Sequence, residues 1–245
     1  MAKRMRADRL LVDQGLAGDQ REAERLIMAG RVLCGTDRVD KAGRLLAPDL
    51  ELEVKARPPF VSRGGLKLQH ALENFGTEVA GRVCLDAGCS TGGFTDCLLQ
   101  AGASRVYSVD VGYGQLAWTI RNDPRVVVME RTNVRAIRRK DLCPAPDLVV
   151  ADLSFLSLKS VVRQLRALAG EGGELILLVK PQFEVSPRDL RGGVVEDPEL
   201  RRGAVEGVAM RCASLGLACR AEIESPLTGA DGNKEYLLHL VPRGA

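Results

Sequence analysis

From residue 64 onward, short densely apolar runs alternate with stretches in which apolar residues recur every third or fourth position. The runs at residues 83–85, 105–110, 126–129, 148–152 and 174–179 read as strands. The stretches at residues 66–75, 91–101, 115–121, 158–169 and 199–215 read as helices, and residues 219–224 and 235–241 as two late strands. Alternating helices and apolar strands predict an α/β fold, a parallel sheet covered on both faces. Ligands of such sheets bind beyond the carboxyl ends of the strands.

Residues 1–56 are patterned differently. Residues 7–14 are amphipathic, with Leu10 and Leu11 on the apolar side and Gly15 as a C-terminal stop. Asp19 is the expected N-cap of a second helix reaching residue 29, with Ala23, Leu26 and Ile27 at helical spacing and Gly30 closing it. Short strands are expected at residues 31–34 and 50–54, with a turn beginning at Gly35. This is a small α+β module. Residues 57–63 carry Pro58 and Pro59 and lead into Gly64 and Gly65, so they read as an interdomain linker. The remaining domain spans residues 64–245.

Composition narrows the possibilities. A chain of 245 residues accommodates one α/β domain and a smaller appendage. No apolar run approaches the roughly 18–20 residues that span a bilayer. The basic start, Met-Ala-Lys-Arg-Met-Arg, is not followed by an apolar segment, so a signal peptide is not expected and the cytoplasm is. Seven cysteines without a Cys-x-x-Cys pair, and two histidines, suggest neither a disulfide framework nor a metal site. The cysteines are expected to be small buried apolar residues. The net charge of +3 says little about partners, but Lys3, Arg4, Arg6, Arg9, Arg21, Arg25 and Arg31 crowd the first module.

The segment from Val83 to Leu99 passes from an apolar run through Asp86 and a loop with Gly88, Gly92 and Gly93 into a helical pattern. A strand, a tight turn and a helix N-terminus form a site for a nucleotide-like ligand. The loop lacks the second glycine that admits a pyrophosphate, and Asp86 ahead of it suits a cationic amine better than phosphate. Asp110 ends the next strand, where a carboxylate accepts hydrogen bonds from ribose hydroxyls. Four further ionisable residues draw attention. Asp152 and Lys180 follow apolar strands, Glu235 opens the last strand, and Lys67 lies on the helix after the linker. A lysine leaving a buried strand is partly desolvated, and its proton affinity is tuned by neighbouring charge.

Residues 62–240 resemble FtsJ-like S-adenosylmethionine-dependent RNA ribose 2′-O-methyltransferases, and nearly the whole chain resembles the TlyA or haemolysin A family of ribosomal RNA methyltransferases. The blocks that carry the likeness are Ser62-Arg-Gly-Gly-Leu-Lys-Leu, Asp86-Ala-Gly-Cys-Ser-Thr-Gly-Gly-Phe-Thr-Asp, Asp110-Val-Gly-Tyr-Gly-Gln-Leu-Ala-Trp, Leu178-Val-Lys-Pro-Gln-Phe-Glu and Gly232-Asn-Lys-Glu-Tyr. The resemblance implies a Rossmann-like class I methyltransferase sheet and a Lys-Asp-Lys-Glu catalytic tetrad at Lys67, Asp152, Lys180 and Glu235. It implies S-adenosylmethionine bound by Asp86, Gly88, Cys89, Ser90, Thr91, Gly92, Gly93, Phe94, Asp110, Val111, Asn133 and Asp152. The target implied is cytidine in 16S ribosomal RNA, 23S ribosomal RNA or both, methylated by direct in-line transfer.

The first module resembles the S4 RNA-binding domain through Arg-Ala-Asp-Arg-Leu-Leu-Val, Gly15, Ala23, Leu26, Ile27 and Gly30. It departs from the family's Ser-Arg at the second helix start, where Asp19-Gln20 stand and the arginine falls one place later, at Arg21. Arg4, Arg6, Arg9, Arg21, Arg25 and Arg63 are the expected RNA contacts, with Arg135 continuing the track. Aromatics make up 4% of the chain, so extensive base stacking is not expected. Phe60 and Phe155 are the nearest stacking candidates, with packing the expectation for both. The partners expected are ribosomal RNA or ribosomal subunits, with no membrane and no metal, and a monomer or weak dimer. The alternatives are an RNA-binding protein with an inactive methyltransferase domain, a membrane-active haemolysin and a base methyltransferase.

Overall fold

The computed structural model describes residues 4–56 and 58–244, so Lys3 and Arg57 lie outside the described residues. The chain divides into two compact units, Met1–Pro58 and Pro59–Ala245.

In the first unit, β1 (Met5–Arg6) leads directly into α1 (Ala7–Asp13), and α2 (Gln20–Met28) follows. Asp19 caps α2 by accepting a hydrogen bond from Glu22 N at 2.7 Å, and the Glu22 carboxylate reaches back to Gly18 N at 2.8 Å. That reciprocal arrangement fixes the helix start. Gly15 and Gly30 adopt φ of +69° and +66° beyond the two helix ends. The strands β2 (Val32–Cys34), β3 (Asp37–Arg38), β4 (Leu45–Leu46) and β5 (Leu52–Val54) complete the unit. β2 lies between β3 and β5, and β4 pairs with β1. Leu10, Leu11, Ile27, Val32 and Val39 form its buried core. The two-residue strands β1 and β4 are too short to carry an alternating pattern.

The second unit is an α/β sandwich on one seven-stranded sheet. Its elements are α3 (Gly64–Phe75), β6 (Val83–Ala87), α4 (Gly93–Gln100), β7 (Arg105–Val109), α5 (Trp118–Arg121), β8 (Val126–Met129), β9 (Leu148–Ala151), α6 (Val162–Ala169), β10 (Glu174–Val179), α7 (Pro198–Ala213), β11 (Leu217–Glu224) and β12 (Tyr236–Pro242). The strand order is β11-β12-β10-β9-β6-β7-β8. Alternate strand residues feed two cores. Leu85, Val149, Leu175 and Leu177 pack with Leu165 and Val208 of α6 and α7, whereas Cys84, Leu148, Val150 and Ile176 pack with Leu68 and Leu98 of α3 and α4.

The structure corrects the sequence-based picture in three places. The sheet is not wholly parallel, because β12 runs antiparallel to both β10 and β11. Among the described residues only a 3-10 turn at Ala230–Gly232, and no α-helix, lies between β11 and β12, so they turn back on each other as adjacent strands do. The helix expected at residues 115–121 is confined to α5, after a loop holding Gly112 and Gly114. Much of the expected linker is docked rather than free. Phe60 is 8% exposed and packs on Gly65, Val61 N donates to Asp96, and Gln100 donates to the Pro59 carbonyl.

Candidate functional site

Asp152 and Lys180 leave the sheet immediately after β9 and β10, at its carboxyl edge. Glu235 precedes β12. Because β12 is antiparallel and Val179 pairs with Tyr236, its first residue meets the last residue of β10, and Glu235 emerges beside Lys180. Lys67 sits in the first turns of α3. All four line one cavity of about 250 Å³, together with Ser62, Arg63, Gly64, Gly229 and the loop after β6.

The four residues form two ion pairs. Lys67 Nζ lies 2.5 Å from Glu235 Oε2, with the two side chains 11% and 2% exposed. Lys180 Nζ lies 2.6 Å from Asp152 Oδ1, with exposures of 11% and 23%. The second pair is a close approach of charges outside hydrogen-bond geometry, since Asp152 Oδ1 has no directed hydrogen bond. The directed partner of Lys180 is Ser154, whose Oγ accepts at 2.8 Å.

Glycine is required where the backbone passes closest. Gly88 has φ of +87°, and a Cβ there would stand 2.5 Å from the Asp152 carbonyl oxygen. A Cβ on Gly93 would meet Ser62 Oγ at 2.2 Å and Gly65 N at 2.9 Å, so the starts of α3 and α4 approach each other through glycine. Ser90 takes φ of +46°, an unfavourable conformation for a residue with a Cβ.

Of the positions expected to hold a cofactor, Gly88, Cys89, Ser90, Thr91, Gly93, Phe94 and Asp152 line the cavity, and Asp86, Gly92, Asp110, Val111 and Asn133 do not. Asp110 braces the loop, accepting from Ser90 N at 2.8 Å and Gly112 N at 2.7 Å. A carboxylate has about four acceptor positions, so both oxygens keep capacity for a hydroxyl. Val111 is 71% exposed, and Asn133 is an exposed cap that accepts from Arg135 N.

Asp86 is corrected most. It is fully buried, and its Oδ2 accepts from Thr95 Oγ1 at 2.7 Å while Oδ1 has no partner. Burial raises its pKa from 3.8 to about 7; Asp152 and Asp110 reinforce the shift and Thr95 opposes it. The carboxyl therefore faces Thr95 beneath the loop instead of offering an open carboxylate to an amine. Its place follows from strand alternation, which puts Asp86 on the same face as Cys84, against α4. Cys89 is buried, and burial pushes its thiol pKa up, so it is an apolar wall of the site. Cys84, Cys97 and Cys212 are buried as expected, but Cys143 and Cys219 are exposed.

The aromatic expectations divide. Phe60 is core, whereas Phe155 is 91% exposed, holds φ of +64° and tilts over Phe183 at a centroid distance of 5.5 Å. Hydrophobicity alone predicts the opposite for it. Sequence reasoning also passed over Ser154 and Glu184. Ser154 stands two places after Asp152, and Glu184 closes the block that begins at Leu178.

In the first unit, Arg4, Arg6, Arg9, Arg21 and Arg25 are exposed. Arg6 is already committed, with its guanidinium 2.5 Å from the fully buried Asp8 carboxylate. The other four make no ion pair among the described residues. Arg63 is exposed at the cavity rim, and Arg135 donates to Ser160 Oγ. No described helix is long and apolar enough to cross a membrane.

The chain is similar to known proteins. Residues 60–241 match the FtsJ-like methyltransferase family, and residues 5–52 match the S4 domain. The chain is 48% identical over 243 residues to the 16S/23S rRNA (cytidine-2′-O)-methyltransferase TlyA of Mycobacterium tuberculosis, covering 98% of this chain and 91% of that protein. It is 35% identical to Hemolysin A of Brachyspira hyodysenteriae over 239 residues, covering 97% and 100%. In fold alone, it is similar to the magnesium protoporphyrin IX methyltransferase of Synechocystis solved with bound SAH, with TM-score 0.52, 16% identity and coverage of 74% and 82%. A mostly parallel sheet with β12 inserted antiparallel, two lysine–carboxylate pairs around one cavity and both matches agree: the chain belongs to the FtsJ-like methyltransferase family and carries an S4 domain ahead of it.

Proposed function

We propose that this protein transfers a methyl group from S-adenosylmethionine to the ribose 2′-oxygen of a cytidine in ribosomal RNA, as the name of its Mycobacterium tuberculosis relative says of that enzyme. The observation that carries this is the convergence of Lys67, Asp152, Lys180 and Glu235 on one cavity beside the glycine loop. In this reading residues 1–56 bind RNA, and residues 64–245, with the docked segment before them, perform the transfer. The work belongs in the cytoplasm, where ribosomes are assembled.

The residues fit the cofactor. The cavity, about 250 Å³, is lined by the glycine loop on one side and by the four charged residues on the other. Gly88 and Gly93 bring bare backbone to the cavity wall, and Asp110 retains acceptor capacity for ribose hydroxyls. When bound, S-adenosylmethionine supplies a methyl group on a sulfonium, already a good leaving group.

The chain's own task is to place a weakly acidic hydroxyl and manage its proton. Lys180 Nζ donates a hydrogen bond to the 2′-oxygen and stabilises its negative charge as the hydroxyl proton passes to solvent water. Asp152 balances the lysine's charge at 2.6 Å. Lys67 and Glu235 form the second wall, holding the ribose through a pair that is nearly dry. Phe155, exposed beside Ser154, presents an apolar face to a base.

The test is incubation of purified protein with small and large ribosomal subunits and labelled cofactor, followed by mapping of the modified nucleotide. A 2′-O-methylcytidine is expected, lost in Lys180→Ala with cofactor affinity largely retained. Label on a base, or undiminished transfer by Lys180→Ala, overturns the assignment.

A further inference from the structure

A protonated lysine amine has three N–H donors and no directional preference of its own. Whatever aims one of them at the 2′-oxygen must fix the other two. Asp152 cannot do so alone: it lies 2.6 Å from Lys180 Nζ but outside hydrogen-bond geometry, so it supplies charge without direction. The directed contact is the 2.8 Å hydrogen bond from Lys180 Nζ to Ser154 Oγ.

Ser154 is itself held. It lies in the loop after β9, and that loop is fastened to the segment after β10 by Glu184. The Glu184 side chain is 1% exposed. Its Oε1 accepts from Leu158 N at 2.5 Å and its Oε2 from Ser157 Oγ at 2.6 Å. Lys159 Nζ adds a hydrogen bond to the Glu184 carbonyl at 3.2 Å and an ion pair to its carboxylate at 3.5 Å. Thus the loops that carry Asp152 and Lys180 are joined twice, once through Ser154 and once through Glu184. A buried carboxylate with both oxygens engaged is a rigid clamp. Phe155, held at φ of +64° between Ser154 and the clamped Ser157, is the backbone strain this fastening sustains.

We propose that Ser154 is the positioning residue for Lys180: its hydroxyl fixes the rotation of the ammonium group so that one N–H faces the cavity, and Glu184 keeps Ser154 in place. This rests on the methyltransferase reading above.

The experiment measures kcat, KM for ribosomal subunits and cofactor Kd for wild type, Ser154→Ala, Ser154→Thr and Glu184→Ala. Ser154→Ala is expected to lose about 10- to 100-fold in kcat, the cost of misaimed catalytic geometry. Its KM and cofactor Kd should stay within about twofold, as expected for an effect confined to the chemical step. Ser154→Thr, which keeps the hydroxyl, should recover most of the rate. Glu184→Ala should reproduce the kcat loss with cofactor affinity retained. A Ser154→Ala enzyme with wild-type kcat overturns the role, as does equal impairment of the alanine and threonine variants. Absence of transfer by wild type overturns the methyltransferase reading itself, a result separable from either.

Discussion

Gly88 passes so close to Asp152 that any side chain would stand 2.5 Å from the Asp152 carbonyl oxygen. The glycine loop and the acidic strand end are therefore one structural unit. Gly88→Ala adds a clash with backbone that cannot rotate away, at a φ of +87°. The left-handed conformation costs roughly 1–2 kcal/mol, and the overpacking about 1–3 kcal/mol more. Urea denaturation should show a loss in that combined range. Calorimetry should show weakened cofactor binding, because Asp152 and the loop separate. Unchanged stability and cofactor affinity would count against the coupling.

Lys67 and Glu235 make a nearly dry pair, so the two single substitutions are not equivalent to the double one. Lys67→Met leaves the 2%-exposed Glu235 carboxylate unpaired, a change costing about 3–5 kcal/mol. Lys67→Met combined with Glu235→Gln removes both charges and should recover much of that stability. Neither should recover methyl transfer. A double variant as unstable as Lys67→Met would show that packing, not charge, is what the pair supplies.

How much of this was visible in the sequence differs by residue. Asp152 and Lys180 are legible because a charge that ends an apolar strand marks the carboxyl edge of a parallel sheet. Glu235 is legible as a strand end, but a largely apolar run reads the same in either direction. Only the antiparallel course of β12 places Glu235 beside Lys180. Asp86 was misread from its nearness to the loop; the side chain obeys strand alternation instead and turns toward Thr95. Phe155 was misread by hydrophobicity, since its exposure is set by the two fastened loops and not by its own preference. Ser154 and Glu184 act through geometry between distant loops, which no local pattern encodes.

The buried Asp86 carboxyl gives stability a specific pH dependence. In the folded protein it holds its proton up to about pH 7, whereas its ordinary value is 3.8. Between these values the folded state binds more protons than the unfolded state. Stability from this group therefore falls as pH rises from about 4 to about 7, and levels off above. Asp86→Asn keeps the shape and an acceptor for Thr95 but never ionises. Relative to wild type, it should be more stable at pH 8 than at pH 4.5, by up to a few kcal/mol. Denaturant titrations of both proteins at the two pH values decide this, and a pH-independent difference would refute it.

On the first unit, Arg6 is ion-paired, whereas Arg4, Arg9, Arg21 and Arg25 are exposed without an ion pair among the described residues. Arg6 neutralises Asp8, which is fully buried and also accepts from Arg9 N and Gln20. Arg6→Ala strips that carboxylate of its cation and should destabilise the first unit measurably. Arg21 and Arg25 stand four residues apart on one face of α2, exposed and without an ion pair among the described residues. Replacing either by alanine should leave stability within about 0.5 kcal/mol. Each should weaken binding to ribosomal RNA, and each should reduce the slope of log affinity against log salt by about one. The two effects are read by thermal denaturation and by RNA titration across salt concentrations. A wild-type salt slope in the double variant would show that this face of α2 is not the one that meets phosphate.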